Sequence, residues 1–265
     1  MIEFSEIQNS YYILPLVGFI VGLFGTMLGG GGGFFFLPIL ILLVRVPAQT
    51  AVITSLVATL PICIVGSLSH FHNRNIDFGI GVLFALAGIA GAFFGAEITS
   101  RISAEQLKIS FGIYSVAIAL NIVWDARHNK QAEKNRNRLN ELSRFAKNLK
   151  SSFFGFLAGT ITGTFGTSGT APVLAGLFSL NIPLKKVIGT SLIVVLSNTI
   201  FAIGAHFLVG RIDLTLVYFL TTGSIIGALI GPRFLSKIKT GNFENKVRYL
   251  YAALMVVLGI LMLVK

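Results

Sequence analysis

At 265 residues, 54% of them hydrophobic and 12% charged, with a mean hydropathy of +0.82, the chain is too apolar for a soluble domain, in which roughly a quarter of the residues carry charge. Its single cysteine, Cys63, excludes an internal disulfide and a multi-cysteine metal site. The net charge of +11 calls for no nucleic acid, because basic residues of membrane proteins collect in cytoplasmic loops near anionic lipid.

Eight apolar stretches lie at about 11–44, 50–71, 77–98, 106–124, 151–180, 186–208, 213–235 and 246–264. Most reach the ~20 residues that cross a bilayer as helix. They predict an all-α integral membrane protein, with 1–265 forming a single transmembrane domain. Met1 to Ser10 carries Glu3 and Glu6 and no basic residue, so no cleaved secretory signal is expected.

The first stretch, Tyr11 to Val44, contains Gly29-Gly30-Gly31-Gly32-Gly33. Each glycine costs up to ~1 kcal/mol against alanine in a helix interior, and amides released into hydrocarbon must be satisfied by protein or by a wet cavity. An unwound segment beside short helix N-termini would be an anion site; glycines can also serve only to bring helices close together. Next come a turn at Arg45-Val46-Pro47 and a span from Thr50 to Phe71 that opens with Thr54-Ser55-Leu56. Asp77 is placed to cap the third span, and Gly91-x-x-x-Gly95 gives that span a small-residue packing face. Glu97 and Arg101, four apart, read as an exposed pair. The fourth span ends at Trp124, an interfacial residue.

Asp125 to Lys150 is a polar connector with eight basic and three acidic residues. Leu139, Leu142, Phe145 and Leu149 fall at helical spacing, as in an amphipathic surface helix. Beyond it the pattern returns. An offset of 137 puts Gly18-Phe19 on Gly155-Phe156, Gly22 on Gly159, Gly29 on Gly166 and Gly32 on Gly169. An offset of 136 puts Pro47 on Pro183, Thr54-Ser55-Leu56 on Thr190-Ser191-Leu192, His70-Phe71 on His206-Phe207, and Ile76-Asp77 on Ile212-Asp213. The chain is therefore an internal duplication of two four-segment halves, repeat 1 at about 11–124 and repeat 2 at about 151–264, joined by 125–150.

Basic residues bear on how the halves face. With the connector cytoplasmic, parallel repeats of four crossings each leave eleven of the 21 basic residues on that side. Inverted repeats, whose broken stretches dip in and return, leave sixteen there and only Arg45, Arg101, Lys108, Arg211 and Lys265 outside. The second count favours inversion with both termini external. Ser151 to Thr164 and Pro172 to Leu180 are each too short to span at ~1.5 Å per residue, although Tyr11 to Leu28 comes close to crossing alone.

Gly18-x-x-x-Gly22 followed by Leu28-Gly29-Gly30-Gly31-Gly32-Gly33 and Pro38, echoed by Gly159-x-x-x-Gly163-x-x-Gly166-x-x-Gly169, resembles the TauE/SafE sulfite exporter family of bacterial membrane proteins over nearly the whole chain. The resemblance implies transport, usually outward, of small sulfur-containing anions such as sulfite or organosulfonates, or of other small organic anions, across the inner membrane. One departure stands out: where the family pattern expects a second glycine run, this chain has Thr167-Ser168-Gly169-Thr170.

An oxyanion needs converging donors, and helix N-termini supply them without a buried cation. The candidate donors are the backbone of Gly30, Gly31, Gly32 and Gly33 and of Thr167, Ser168, Gly169 and Thr170, meeting near the bilayer centre. Thr54, Ser55, Thr190 and Ser191 are candidate hydroxyl donors, unless they bond back to their own helices. His70 and His206 fit a proton or anion relay, or sit at span ends among headgroups. Asn198 is a lone amide suited to holding helices together. The expected partners are a small anionic substrate and membrane lipid, with no nucleic acid, cofactor or metal; the sequence sets no oligomeric state. Among competing classes, a passive anion channel fits the same pattern. A lipid-phosphatase-like membrane enzyme needs clustered carboxylates and an arginine-rich phosphate loop, whereas the spans offer only Glu97 near an end. Neither glycine run leads into the Gly-Lys-Ser/Thr of a nucleotide-binding loop.

Overall fold

The computed structural model describes residues 2–28, 30–135, 143–180, 182–207, 212–237 and 242–264. Each half is five helices, because its first apolar stretch is divided. In the first half these are α1 (Leu14–Leu28, after a 3-10 turn at Asn9–Ile13), α2 (Gly33–Leu42), α3 (Ala48–His72), α4 (Phe78–Arg101) and α5 (Ala104–Asn135). Their counterparts are α6 (Arg144–Phe165), α7 (Thr170–Ser179), α8 (Leu184–Phe207), α9 (Leu214–Lys237) and α10 (Asn242–Val264). A two-residue strand, β1 (Ile2–Glu3), pairs in parallel with β2 (Ile212–Asp213) just before α9.

Among the described residues, six helical stretches are long and apolar enough to cross a membrane: Asn9–Met27, Ala48–His72, Phe78–Arg101, Ala104–Trp124, Lys185–Phe207 and Leu214–Gly231. The ten-residue α2 and α7 are apolar but half that length. Helix enters the connector from both sides, since α5 runs beyond Trp124 to Asn135 and α6 starts at Arg144. Of the four residues at amphipathic spacing, Leu139 and Leu142 lie outside the described residues, while Phe145 and Leu149 are exposed on α6.

Local chemistry sets the boundaries. The Asp77 carboxylate accepts from the Ile80 amide at 3.2 Å and caps α4. Its repeat partner Asp213 does the same for α9, accepting from Thr215 at 3.0 Å and Leu216 at 3.3 Å. Glu97 and Arg101 form the expected exposed pair at the end of α4.

Small residues decide the packing. Gly91 and Gly95 of α4 lie against Phe156, Thr160 and Gly163 of α6, and their counterparts Gly227 and Gly231 of α9 lie against Phe19, Leu23 and Thr26 of α1. The first helix of each half is thus docked on the fourth helix of the other half. Without a Cβ on either side, backbones approach closely, which substitutes for the hydrophobic drive that lipid removes. In both pairs the residue numbers rise together, so the packed helices run in the same direction. The long central helices α3 and α8 run antiparallel: Gly189, near the start of α8, abuts His70 and Asn75 at the end of α3. The same crossing is pinned at its two ends. The Asp77 amide donates to the Thr190 hydroxyl at 2.9 Å, and the Asp213 amide to the Thr54 hydroxyl at 3.4 Å.

Candidate functional site

The first helix pair breaks because its glycines take backbone conformations that helices do not use. Gly31 and Gly32 have φ of +60° and +74°, and α2 starts at Gly33; left-handed backbone costs an L-residue roughly 1–2 kcal/mol. The second break uses the same device at Gly166 (φ +63°) and Gly169 (φ +53°), and α7 starts at Thr170. Neither Gly32 nor Gly169 supplies a side-chain cap to the helix it precedes, leaving the first-turn amides of both short helices to other acceptors.

The two breaks lie against each other. The Thr170 hydroxyl donates to the Gly30 carbonyl at 2.9 Å and lies 2.7 Å from the Ser168 hydroxyl. The Ser55 hydroxyl, fully buried on α3, lies 3.2 Å from the Gly33 carbonyl and 2.9 Å from the Gly166 carbonyl, so one side chain ties a carbonyl of each half. Thr59, one turn on, bonds back to the Ser55 carbonyl at 2.8 Å. Two half-length helices whose unwound ends face each other, with hydroxyls among them, have the parts that receive an anion.

The candidate donors separate on this geometry. Gly30 to Gly33 and Thr167 to Thr170 come together. Ser55 joins them as a bridge between carbonyls, not as a donor turned to open space. Thr54 and Thr190 point away from the breaks to the Asp213 and Asp77 amides. Ser191 is buried on α8 and has an interaction of its own.

His70 and His206 end long helices, but each is only 6% exposed, so neither is available to headgroups. Helix α8 of the other half covers His70, and α6 of its own half covers His206. His206 Nε2 lies 2.6 Å from the Gly163 carbonyl, in the last turn of α6 before the break, while both ring nitrogens of His70 lack a hydrogen-bond partner among the described residues. Asn198 is buried with its amide against Gly88 of α4, and it too lacks a hydrogen-bond partner among them. Its contact with Gly88 links α8 to α4.

A cavity of about 10 Å³ adjoins the second break. Thr167 to Ala171 line it together with Phe34, Tyr114, Tyr251 and Met255. The two tyrosines were missed in the sequence because single tyrosines inside apolar runs read as packing or interfacial residues. The signal that could have found them is near-periodicity: Tyr251 follows Tyr114 by 137 residues, one more than the offset of 136 that holds from Pro47 to Asp77. No group of three or more His, Cys, Asp or Glu residues able to hold a metal occurs among the described residues.

Comparison with known proteins bears on what this site serves. The model of a family described as sulfite exporter TauE/SafE matches residues 14–262. A "probable membrane transporter protein YdhB" of Bacillus subtilis (strain 168) is 28% identical, covering 84% of this chain and 89% of its own. A "probable membrane transporter protein" of Xylella fastidiosa (strain 9a5c) is 29% identical over 83% and 82% of the two chains. The "probable membrane transporter protein MJ0441" of Methanocaldococcus jannaschii is 24% identical over 95% and 94%. No solved structure matches.

Proposed function

Since the chain belongs to the sulfite exporter TauE/SafE family of multi-pass membrane transporters, we propose that it is a secondary carrier exporting small sulfur-containing or organic anions such as sulfite or sulfonates. The observation that carries this reading is the meeting of the two breaks, tied by Ser55 to the carbonyls of Gly33 and Gly166. In this reading the first-turn amides of the two short helices are the donors to the anion, and dipoles rather than a buried cation offset its charge. A site without a fixed cation binds and releases more readily than a full ion pair, as a carrier requires.

The halves are inverted repeats in this reading, with re-entrant α1–α2 and α6–α7 pairs meeting near the bilayer midplane. The antiparallel crossing of α3 and α8 supports it. In parallel repeats, counterparts would cross in the same direction, and the end of α3 could not adjoin the start of α8 as Gly189 adjoins His70 and Asn75. The site is accordingly reached alternately from each side, with the connector 125–150 cytoplasmic and both termini outside the bacterial inner membrane.

Topology is tested by impermeant thiol labelling of whole cells in a Cys63→Ser background. A cysteine at position 3 or 265 is expected to react without permeabilisation, and one at position 130 only after it. Labelling of position 3 or 265 only after permeabilisation would remove the external termini. Substrate class is tested by screening the purified protein for melting-temperature shifts with sulfite, sulfate, thiosulfate, taurine, sulfoacetate and simple carboxylates. Saturable stabilisation by a sulfur oxyanion is expected, and a response confined to carboxylates would move the protein to another substrate.

A further inference from the structure

The cavity beside the second break contains two chemistries that the helix ends alone do not explain. Its volume of about 10 Å³ admits one water-sized group, the size of a single oxyanion oxygen. Thr167 is 1% exposed, and its hydroxyl has no hydrogen-bond partner among the described residues. Its neighbours Ser168 and Thr170 are engaged with each other and with Gly30. Leaving a buried hydroxyl unpaired is unfavourable, and Thr167 is one of the residues that line the cavity.

Tyr114 from α5 and Tyr251 from α10, one from each half, also line the cavity. Their rings are held in place. Tyr114 stacks on Phe165 at 5.5 Å, Tyr251 meets Phe35 edge-on at 5.3 Å, and both lie within 6.4 Å of Phe34. Among the described residues, the cavity lining contains no carboxylate and no basic side chain. The polar side chains among those lining residues all carry hydroxyls: two tyrosines, two threonines and a serine.

We propose that Tyr114 and Tyr251 are the specificity-determining residues of the transport site: with Thr167 they donate to one oxygen of a compact oxyanion such as sulfite and reject sulfonates that carry an alkyl or aminoalkyl tail. A tail bearing an ammonium group would be buried against Phe34 and Met255 without a counter-charge, which is costly. Methanesulfonate has the same three oxygens as sulfite and adds a methyl on sulfur, for which a cavity sized for one oxygen leaves no room. The proposal rests on the reading of the breaks as an anion site.

Calorimetric titration of the purified full-length protein with sulfite, methanesulfonate and taurine tests it. Wild type is expected to prefer sulfite about tenfold or more. Tyr114→Phe and Tyr251→Phe, which keep the ring packing, and Thr167→Ala should each weaken sulfite about tenfold or more, the change expected for a lost hydrogen bond to a charged group. Methanesulfonate and taurine should stay weak, so the preference collapses while the melting temperature holds. Unchanged sulfite affinity in the variants, an equal fall for all three probes, or taurine bound by wild type as tightly as sulfite overturns the proposal and leaves the anion site standing. Failure of wild type to bind any of these probes, sulfate or acetate overturns the site reading and this inference together.

Discussion

Gly32→Val is expected to abolish transport and to lower the melting temperature with it. Gly32 has φ of +74°, and a Cβ there would meet the Val21 carbonyl oxygen at 2.9 Å. Left-handed backbone costs an ordinary residue roughly 1–2 kcal/mol, and overpacking adds ~1–3 kcal/mol. Gly31→Val is expected to behave alike, because φ there is +60° and a Cβ would sit 2.6 Å from Cys63 Sγ. From the sequence alone, valine at either position reads as a simple block to the ligand that leaves the fold intact; the backbone conformation makes it a fold defect as well. Gly30 provides the control. A Cβ at Gly30 meets only Thr170 side-chain atoms at 3.4 Å or more, so Gly30→Ala should fold normally and narrow the approach to the break. Normal transport by Gly31→Val and Gly32→Val would reduce the glycines to packing residues.

Ser55→Ala should weaken anion binding and stability together. The variant leaves the buried carbonyls of Gly33 and Gly166 without their shared donor, a loss of roughly 1–3 kcal/mol. The same displacement that frees the carbonyls lets the two breaks separate, so affinity is expected to fall about tenfold or more. Thr190→Val separates the two effects. It removes the bond to the Asp77 amide, at the crossing of α8 with the α3–α4 turn, and should lower the melting temperature without moving the dissociation constant. Both quantities come from the same samples. An unchanged dissociation constant in Ser55→Ala beside a lowered melting temperature would make Ser55 a scaffold residue.

Polar residues that repeat in register are visible in the sequence: Thr54-Ser55, His70 and Asp77 all have counterparts 136 residues on. The Asp77 cap was legible too, since an aspartate before an apolar run has few other uses. What the sequence hides is direction. Thr54 and Ser55 are adjacent, yet on a helix neighbouring side chains point about 100° apart. One reaches the Asp213 amide and the other the two breaks. The exchange of α1 and α6 between halves is equally hidden, because the glycine faces of α4 and α9 carry the same spacing and would accept either helix. The histidines read as exposed because they lie near helix ends, but whether such an end meets lipid or protein depends on a neighbour far away in the chain. Gly189 packs against His70, and Gly163 faces His206.

The most direct measurement of whether the paired breaks form a transport site is efflux of radiolabelled sulfite from proteoliposomes containing the purified protein. Saturable efflux is predicted for wild type, with none above background for Gly32→Val reconstituted at equal density. Wild-type release no faster than from protein-free liposomes, or equal release by the two proteins, would contradict the account.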